Sequence, residues 1–279
     1  MELILGTAQL DGSYGRFRRD DSDQTAAALL GEAWTLGFHT LDTAASYAGV
    51  EERIGHSDWP GAIHTKLNPA LSPTDSVSQS LRRLGRESLD VVYFHTPDVV
   101  HHSPTDTLAV RKSLPRSVVT RLGVSVYRPE EALRALEHDA FEVIQIPLNI
   151  ADGRWSNDLL NEIHSTGRLL IARSVFLQGA LLRPAGELPA FLHPLQSSVE
   201  ALRSLAEKGH RSVVELALAW VRGKPGVSGM IVGAETAGQL AELSAAFHTP
   251  ELSLEETSVL DSLSLTDVNV IDPRTWPRD

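Results

Sequence analysis

The sequence predicts an α/β fold in which parallel strands close into a barrel surrounded by helices. Short apolar runs that are typical of buried strands alternate with stretches of helical periodicity, strand then helix eight times over. The length of 279 residues fits one such barrel, because α/β barrels of about 250 residues form a single unit. Three of the strand-like runs also lead into polar side chains at the carboxyl end, where parallel α/β folds bind ligands. We therefore expect one domain over residues 1–279.

Eight apolar runs are interpreted as strands, and the stretches between them as helices or loops. The predicted strands cover residues 3–7, 38–42, 62–66, 89–94, 120–125, 143–147, 169–174 and 227–233. Apolar residues recur at helical spacing between them, and several of these stretches begin at Ser or Pro or end before Gly. The predicted helices cover residues 22 or 23 to 36, 49–55, 72–84, 129–137, 157–166, 196–208, 213–222 and 254–263.

Composition and charge limit the classes of function. The net charge of −11 is spread over helix-like segments, which disfavours nucleic acid and anionic membranes as partners. The absence of Cys excludes a disulfide framework, a thiolate metal site and a thiol nucleophile. The sequence contains neither a membrane-length apolar stretch nor the basic start of a signal peptide. We expect a cytoplasmic protein with a small-molecule substrate, and the sequence leaves its oligomeric state open.

Four side chains at the predicted barrel mouth suggest a particular chemistry. Asp42 ends the second strand, Tyr47 follows one short loop later, Lys66 ends the third strand, and His95 follows the fourth. A tyrosine with its ordinary pKa of about 10 is a poor acid at neutral pH, and a nearby lysine cation favours the phenolate. A carboxylate keeps the lysine charged, and a histidine can orient a carbonyl oxygen. Such a group suits proton delivery to a carbonyl that receives hydride, which only a cofactor can supply.

These residues resemble the motifs of the aldo-keto reductase superfamily. The matching segments are Leu-Asp-Thr-Ala with Ser-Tyr at residues 41–47, Thr-Lys at 65–66 and Tyr-Phe-His at 93–95, in family order and with similar spacing. The resemblance implies a (β/α)8 TIM barrel and the interconversion of an aldehyde or ketone, a sugar-derived one included, with its alcohol. It assigns the catalytic work to Asp42, Tyr47, Lys66 and His95, with Tyr47 as general acid and base. It also implies a nicotinamide cofactor.

The same resemblance implies which residues bind that cofactor. Gly6 and Thr7 match the opening Leu-Gly-Thr strand, and the turn after the eighth strand matches a phosphate-binding turn at a helix N-terminus. Ser125 and Gln145 correspond to residues that hold the nicotinamide carboxamide, although Val126 stands where Asn is expected. The remaining implied contacts are Arg173, Ser174, Phe176, Gln178, Gly233, Glu235, Gln239 and Glu242.

Two departures from the family pattern leave questions open. Arg173 replaces a Tyr that stacks on the nicotinamide in many relatives; a guanidinium can stack on a flat ring, or it can contact substrate or a carboxylate. Glu235 stands where relatives that prefer NADP(H) carry Lys, Arg or Ser, and a carboxylate suits a free ribose hydroxyl. The resemblance slightly favours NADP(H) as the cofactor, and NAD(H) is the alternative.

The substrate is only loosely indicated. Tyr14, Phe17 and Trp276 are candidates to line its pocket, and the C-terminal segment 252–279 is expected near the barrel mouth or against its wall. His101 and His102 lack the spacing of a zinc site, so we expect solvated loop residues and no metal. The main alternative function is a cofactor-binding regulatory barrel of the channel-subunit type with little turnover. A metal hydrolase or sugar isomerase would need a carboxylate and histidine cluster that the strand ends do not show.

Overall fold

Eight parallel strands close into a barrel in the computed structural model, which describes residues 1–11 and 26–277. The strands are β1 (Glu2–Gly6), β2 (Thr40–Asp42), β3 (Ala62–Lys66), β4 (Leu89–Phe94), β5 (Val119–Ser125), β6 (Val143–Pro147), β7 (Leu169–Arg173) and β8 (Val227–Gly233). They are hydrogen-bonded in sequence order, and β8 pairs with β1 to complete the barrel. This confirms the predicted fold class, and all eight strands lie within two residues of their predicted bounds.

The register of the strands aligns their carboxyl ends. Gly6 lies opposite Asp42, and Lys66 lies opposite Tyr93, two residues before His95. Because neighbouring parallel strands end at the same rim, the polar residues that follow them share one mouth of the barrel. The register of strand pairing therefore explains why residues distant in sequence meet at the barrel mouth.

The helices surround the barrel and include a counterpart to each of the eight predicted ones. They are α1 (Ala26–Thr35), α2 (Val50–Gly55), α3 (Pro73–Leu84), α4 (Pro104–Ser113), α5 (Pro129–Leu136), α6 (Asn157–Ser165), α7 (Gln196–Lys208), α8 (Val213–Arg222), α9 (Ala237–Phe247), α10 (Leu254–Ser262) and α11 (Val268–Ile271). Side-chain caps fix several starts: the Ser72 hydroxyl accepts from the Asp75 amide at α3, and Ser212 with Glu215 forms a capping box at α8. Residues 22–25 of the predicted first helix lie outside the described part of the chain. No helix in the described part is long and apolar enough to cross a membrane.

Neither α4 nor the four-residue α11 was predicted. No element was assigned to residues 104–113, where α4 forms a ten-residue helix capped by Ser103 with Pro104 in its first turn. Its only fully buried residue is Thr107, so its sequence shows little of the apolar periodicity that identifies a helix. His101 and His102, just before it, are exposed as expected.

The barrel interior is filled by side chains and leaves no pore. A compact cluster occupies it below the mouth, formed by Ile4, Val91, Tyr93, Val143, Ile171 and Ile231. Gly123 makes room for one of these rings, because a Cβ at that position would lie 2.7 Å from Cδ1 of Tyr93 and 2.6 Å from the Val143 carbonyl oxygen. A second, larger cluster packs the outer face of the strands against the helices. Both layers hold the strand ends in fixed positions, as a functional site requires.

Candidate active site

A cavity of about 930 Å³ opens at the carboxyl ends of the strands. The four predicted catalytic residues, Asp42, Tyr47, Lys66 and His95, all line it. So do all twelve residues predicted to contact the cofactor, namely Gly6, Thr7, Ser125, Gln145, Arg173, Ser174, Phe176, Gln178, Gly233, Glu235, Gln239 and Glu242. Its volume lies within the range of about 300–1,000 Å³ that is typical of ligand pockets. The structure thus brings the predicted catalytic and cofactor-binding residues together in one cavity.

A buried ion pair forms the base of the site. The Lys66 ammonium donates to Oδ1 of Asp42 and, at 2.9 Å, to the carbonyl oxygen of Thr43. The other oxygen of Asp42, Oδ2, accepts a 2.8 Å hydrogen bond from Nε2 of Gln145. Asp42 and Lys66 are only 5% and 3% exposed, so these bonds replace the water that the two charges have lost. The pair is electrically neutral and rigidly held.

Tyr47 lies beside this pair on the loop after β2. Its ring centroid is 5.7 Å from Nζ of Lys66 and 6.3 Å from the ring centroid of His95, and the two rings are nearly perpendicular at 85°. The loop is fixed by a turn in which the Tyr47 amide donates to the Ala44 carbonyl oxygen at 3.0 Å. Tyr47 is half-buried, so its hydroxyl belongs to a site that a small molecule can reach.

His95 is neutral at physiological pH. Its pKa is lowered from the ordinary 6.5 to about 4, chiefly by burial; the Lys66 and Arg173 cations also lower it, whereas the Asp42 carboxylate raises it. Its Nδ1 lies 3.4 Å from the Ser46 hydroxyl. A neutral imidazole held in this way can take part in a hydrogen bond with a carbonyl oxygen without bringing a charge into the site.

A second neutral polar pair lies beneath Asp42 inside the barrel. The Tyr93 hydroxyl is 3.4 Å from Nδ1 of His64, and both side chains are buried. Burial raises the pKa of Tyr93 well above its usual value, whereas burial lowers the pKa of His64. Both groups stay uncharged at neutral pH. At this end of the cavity, the charges beside them are therefore those of Asp42 and Lys66.

A chain of hydrogen bonds links Arg173 to the ion pair. Nε of Arg173 donates to the Ser125 hydroxyl at 3.3 Å, the hydroxyl donates to Oε1 of Gln145 at 3.0 Å, and Gln145 donates to Asp42. Ser125 and Gln145 end β5 and lie within β6, so the chain runs along neighbouring strands. Ser125 and Gln145 are fully buried, and every step of the chain joins a donor to an acceptor.

The loop after β7 has an unusual backbone. Ser174, Leu177 and Gln178 have φ values of 58°, 48° and 52°, and Gly179 has 89°. Residues other than Gly rarely adopt the left-handed region, and such strain concentrates at ligand-binding sites. Nδ2 of Asn149 supports the loop by donating to the Ser174 carbonyl oxygen at 3.2 Å. Left-handed turns of this kind direct backbone amides into a concave surface that suits an anion.

The turn between β8 and α9 forms another part of the cavity. Thr236 caps α9 by accepting from the Gln239 amide at 3.2 Å, and Oε1 of Gln239 accepts from the Glu235 amide at 2.7 Å. Gly233 is in close contact with Gln9, because a Cβ there would lie 1.9 Å from Nε2 of Gln9. A helix start, a closely packed glycine and a strained loop are features of nucleotide-binding sites, so the residues present are compatible with a nicotinamide cofactor.

Several lining residues were not identified from the sequence. Tyr127 is two residues beyond Ser125, which ends β5. Its place just after a strand could have identified it, because parallel α/β folds bind ligands at the carboxyl ends of their strands. Gln9 follows β1, whereas Arg203 and Arg211 come from α7 and the turn after it, where no sequence signal marks them. Their side chains reach the cavity only because the helices fold back along the barrel.

Of the three residues predicted to contact the substrate, the structure describes Trp276. Tyr14 and Phe17 lie outside the described residues. Trp276 is 5% exposed, lies 5.6 Å from the Phe191 ring, and donates from Nε1 to the Val270 carbonyl oxygen at 3.1 Å. It is not among the residues that line the cavity, so packing against the barrel wall accounts for it. The described residues contain no cluster of His, Asp and Glu that could hold a metal ion.

Comparison with known proteins agrees with this geometry. Residues 2–265 match the sequence model of a family described as "Aldo/keto reductase family". The chain is 25% identical to the L-glyceraldehyde 3-phosphate reductase of Escherichia coli O157:H7, covering 90% of this chain and 86% of that protein. It is 24% identical to a putative aryl-alcohol dehydrogenase of Saccharomyces cerevisiae, covering 95% and 84%. The structure of an aldo-keto reductase from Bacillus halodurans in its holo form superposes with a TM-score of 0.80, at 21% identity, covering 99% and 95%.

Proposed function

The chain belongs to the aldo/keto reductase family, and on that premise we propose that it interconverts an aldehyde or ketone with its alcohol, with Tyr47 as general acid and base. Membership of the family supports an oxidoreductase that depends on a nicotinamide cofactor. The observation that carries the proposal is the convergence of Asp42, Tyr47, Lys66 and His95 on one cavity. A binding function alone gives no reason for a neutral histidine and a buried ion pair around a tyrosine.

Each of the four residues has a separate role in this proposal. In the direction of reduction, the Tyr47 hydroxyl donates its proton to the carbonyl oxygen of the substrate. The Lys66 ammonium, 5.7 Å from the Tyr47 ring, stabilises the negative charge that the proton leaves behind. Asp42 keeps that ammonium charged and in place. His95, uncharged, orients the carbonyl oxygen by a hydrogen bond.

The cofactor would be held by the cavity residues assigned above. When bound, a nicotinamide cofactor supplies the hydride that no side chain can provide. Ser125 and Gln145 would hold its carboxamide, the loop that begins at Ser174 its pyrophosphate, and the turn around Glu235 its adenosine. We keep a small preference for NADP(H) from the family, with NAD(H) as the other possibility because Glu235 disfavours a 2′-phosphate.

The curated relatives define a first panel of substrates. One is named for a phosphorylated sugar aldehyde and another for aryl alcohols. We propose an aldehyde or ketone of comparable size, sugar-derived or aromatic, as the substrate of this chain. A cavity of about 930 Å³ accommodates such a molecule together with a dinucleotide only if both are bound closely.

The second candidate function is a regulatory barrel of the channel-subunit type that binds the cofactor with little turnover. The strained loop and the turn after β8 would serve such a protein equally well, because both concern binding and neither concerns catalysis. The arrangement around Tyr47 is what favours the enzyme.

The test combines binding and turnover. Purified protein is titrated with NADPH and with NADH while cofactor fluorescence is followed, and the tighter cofactor is then supplied with glyceraldehyde, glyceraldehyde 3-phosphate, benzaldehydes and simple ketones. Binding with turnover of at least one carbonyl supports the proposal. Binding without turnover of any would favour the regulatory barrel. Binding of neither nucleotide would contradict both.

A further inference from the structure

Arg173 carries the uncompensated positive charge at the catalytic end of the cavity. The Lys66 ammonium is neutralised by Asp42, and His95 is uncharged at neutral pH. Ten ion pairs are formed within residues 1–11 and 26–277, and none of them involves Arg173. No Asp or Glu oxygen of these residues lies within 4.0 Å of its guanidinium. A half-buried guanidinium without a carboxylate partner attracts an anion from solution, even in a protein whose net charge is −11.

Three hydrogen bonds hold the Arg173 guanidinium in place and leave two of its N–H groups without a bond in the described structure. Nε donates to Ser125 at 3.3 Å, Nη1 to the Ser174 hydroxyl at 3.3 Å, and Nη2 to the carbonyl oxygen of Val126 at 3.0 Å. These three bonds use three of the five N–H groups of a guanidinium. One N–H on each terminal nitrogen remains for a ligand, and a planar guanidinium suits the oxygens of a carboxylate or phosphate.

The Tyr127 ring contacts the Arg173 guanidinium, and Arg274 contacts the same ring. Cζ of Arg173 lies over the ring of Tyr127 at 4.3 Å from the centroid, and Cζ of Arg274 lies over the same ring at 3.4 Å. Arg274 is itself fixed by Asp272, whose carboxylate accepts from Nε at 2.9 Å and from Nη2. The C-terminal segment thus supports Tyr127, and Tyr127 supports Arg173. Such a stack restricts the long side chain before any ligand arrives, so less entropy is lost on binding.

From this arrangement we propose that Arg173 binds an anionic group of the substrate, a carboxylate or a phosphate, and so selects carbonyl compounds that carry one. The inference rests on the proposed function, because it names the substrate class of the same site. It gives Arg173 a role towards the substrate, in place of stacking on the cofactor. Tyr127 and Arg274 are positioning residues for Arg173 in this scheme.

The test uses pairs of compounds that differ in one anionic group. Benzaldehyde is compared with 4-carboxybenzaldehyde, and glyceraldehyde with glyceraldehyde 3-phosphate, so the two pairs distinguish a carboxylate from a phosphate. The proteins are the wild type, Arg173→Gln, Arg173→Lys, Arg274→Gln and Arg121→Gln. Arg121 is an exposed arginine on β5, and its variant removes the same charge from outside the cavity. We measure kcat and KM separately, and the dissociation constant of NADPH by fluorescence.

The wild type should prefer the anionic member of at least one pair by about 10- to 100-fold in kcat/KM, as expected for a charge-assisted bidentate contact. Arg173→Gln should remove that preference chiefly through KM, by raising the KM of the anionic member much more than that of the neutral one. Arg173→Lys should retain part of it, and Arg121→Gln all of it. Arg274→Gln should weaken the preference less than Arg173→Gln, because it loosens the support and leaves the guanidinium.

Three results would overturn the inference. One is equal kcat/KM for both members of each pair in the wild type. Another is an equal loss for both members in Arg173→Gln. The third is a large loss of NADPH affinity in Arg173→Gln with the substrate preference unchanged. That result would show that Arg173 binds the cofactor and not the substrate.

Failure of the proposed function is detected separately by a binding measurement. Binding to the protein saturated with NADPH is measured by calorimetry, which requires no turnover, for 4-(hydroxymethyl)benzoate against benzyl alcohol and for glycerol 3-phosphate against glycerol. If nothing is reduced but an anionic member still binds more tightly in a manner that depends on Arg173, the reductase proposal fails and the anion site stands. If both pairs bind equally, the anion site fails whatever the turnover.

Discussion

Gln145 on β6 donates a 2.8 Å hydrogen bond from Nε2 to Oδ2 of Asp42 on β2. In a closed barrel of eight strands in sequence order, β2 and β6 face each other, so this bond crosses the barrel mouth. The carboxylate that pairs with Lys66 is thereby held from the opposite wall. The ion pair depends on closure of the whole barrel as well as on the neighbouring strands β2 and β3.

Gln145→Leu should therefore lower both stability and activity. It removes a donor from a buried carboxylate, and leaving such a group unsatisfied costs about 1–3 kcal/mol. We expect the free energy of unfolding in urea to fall by that amount and kcat to fall with it. Ser125→Ala is the matched control, because it removes a partner of Gln145 and leaves the bond to Asp42. If both variants unfold at the same urea concentration, the bond across the mouth is not important for stability.

Tyr47→Phe should abolish turnover and leave cofactor binding nearly intact. The substitution removes one hydroxyl and keeps the ring that lies against His95 and near Lys66. Loss of a general acid lowers kcat by about 10²- to 10⁴-fold. Steady-state kinetics and a fluorescence titration with NADPH on the same preparation separate the two effects. Undiminished turnover by the variant would end the mechanism proposed for Tyr47.

The stability of the wild type should decline with acidity partly because of His95. Its pKa is lowered to about 4 in the folded protein, whereas an unfolded chain protonates it near the ordinary value of 6.5. Between these values the unfolded state binds more protons, so the free energy of unfolding falls as the pH falls through this window. His95→Gln should lose less stability than the wild type between about pH 7.5 and about pH 5. Urea unfolding at both pH values measures this.

His102→Gln provides the comparison for that experiment, since it removes an exposed imidazole from the surface. It should follow the wild type at both pH values. The buried His64 is retained in all three proteins, so its own contribution is common to them. If His95→Gln declines as steeply as the wild type, His95 is not the group that is held neutral.

Glu235→Arg should shift cofactor preference towards NADPH. The carboxylate lines the cavity at the turn before α9, and its replacement changes a repelled 2′-phosphate into an attracted one. We expect the ratio of NADH to NADPH dissociation constants to rise by about 10-fold, an effect that salt should weaken. Glu251→Arg makes the same change of net charge at an exposed position outside the cavity and should leave the ratio unchanged. An unchanged ratio in Glu235→Arg would show that Glu235 does not face the ribose.

The barrel and the assembly of the site could be predicted because the sequence marks strand ends clearly. Asp42, Lys66 and His95 each interrupt or follow an apolar run, and the ladder of a parallel barrel then places them on one rim. Their proximity follows from the order of the strands in the barrel, so it could be predicted without knowing any side-chain contact.

The remaining features depend on contacts that are not local in sequence. The helix α4 was missed because burying little more than Thr107 leaves no apolar stripe. Trp276 could not be assigned to the mouth or the wall, since both environments favour a large aromatic side chain. The support of Arg173 by Tyr127 and Arg274 joins β5, β7 and the C-terminal segment, and only the folded chain brings these together.

Pairing of β1 with β8 determines when the protein can become functional during its synthesis. Five register positions, from Glu2 opposite Gly229 to Gly6 opposite Gly233, join the first strand to the last. All four residues proposed for catalysis leave the ribosome before β5, yet β1 keeps an unpaired edge until β8 has emerged. A chain interrupted before that point would carry its catalytic side chains on an open sheet prone to aggregation. The nascent chain therefore exposes an unpaired strand edge until the final strand emerges, and it completes its site only after that strand has joined β1.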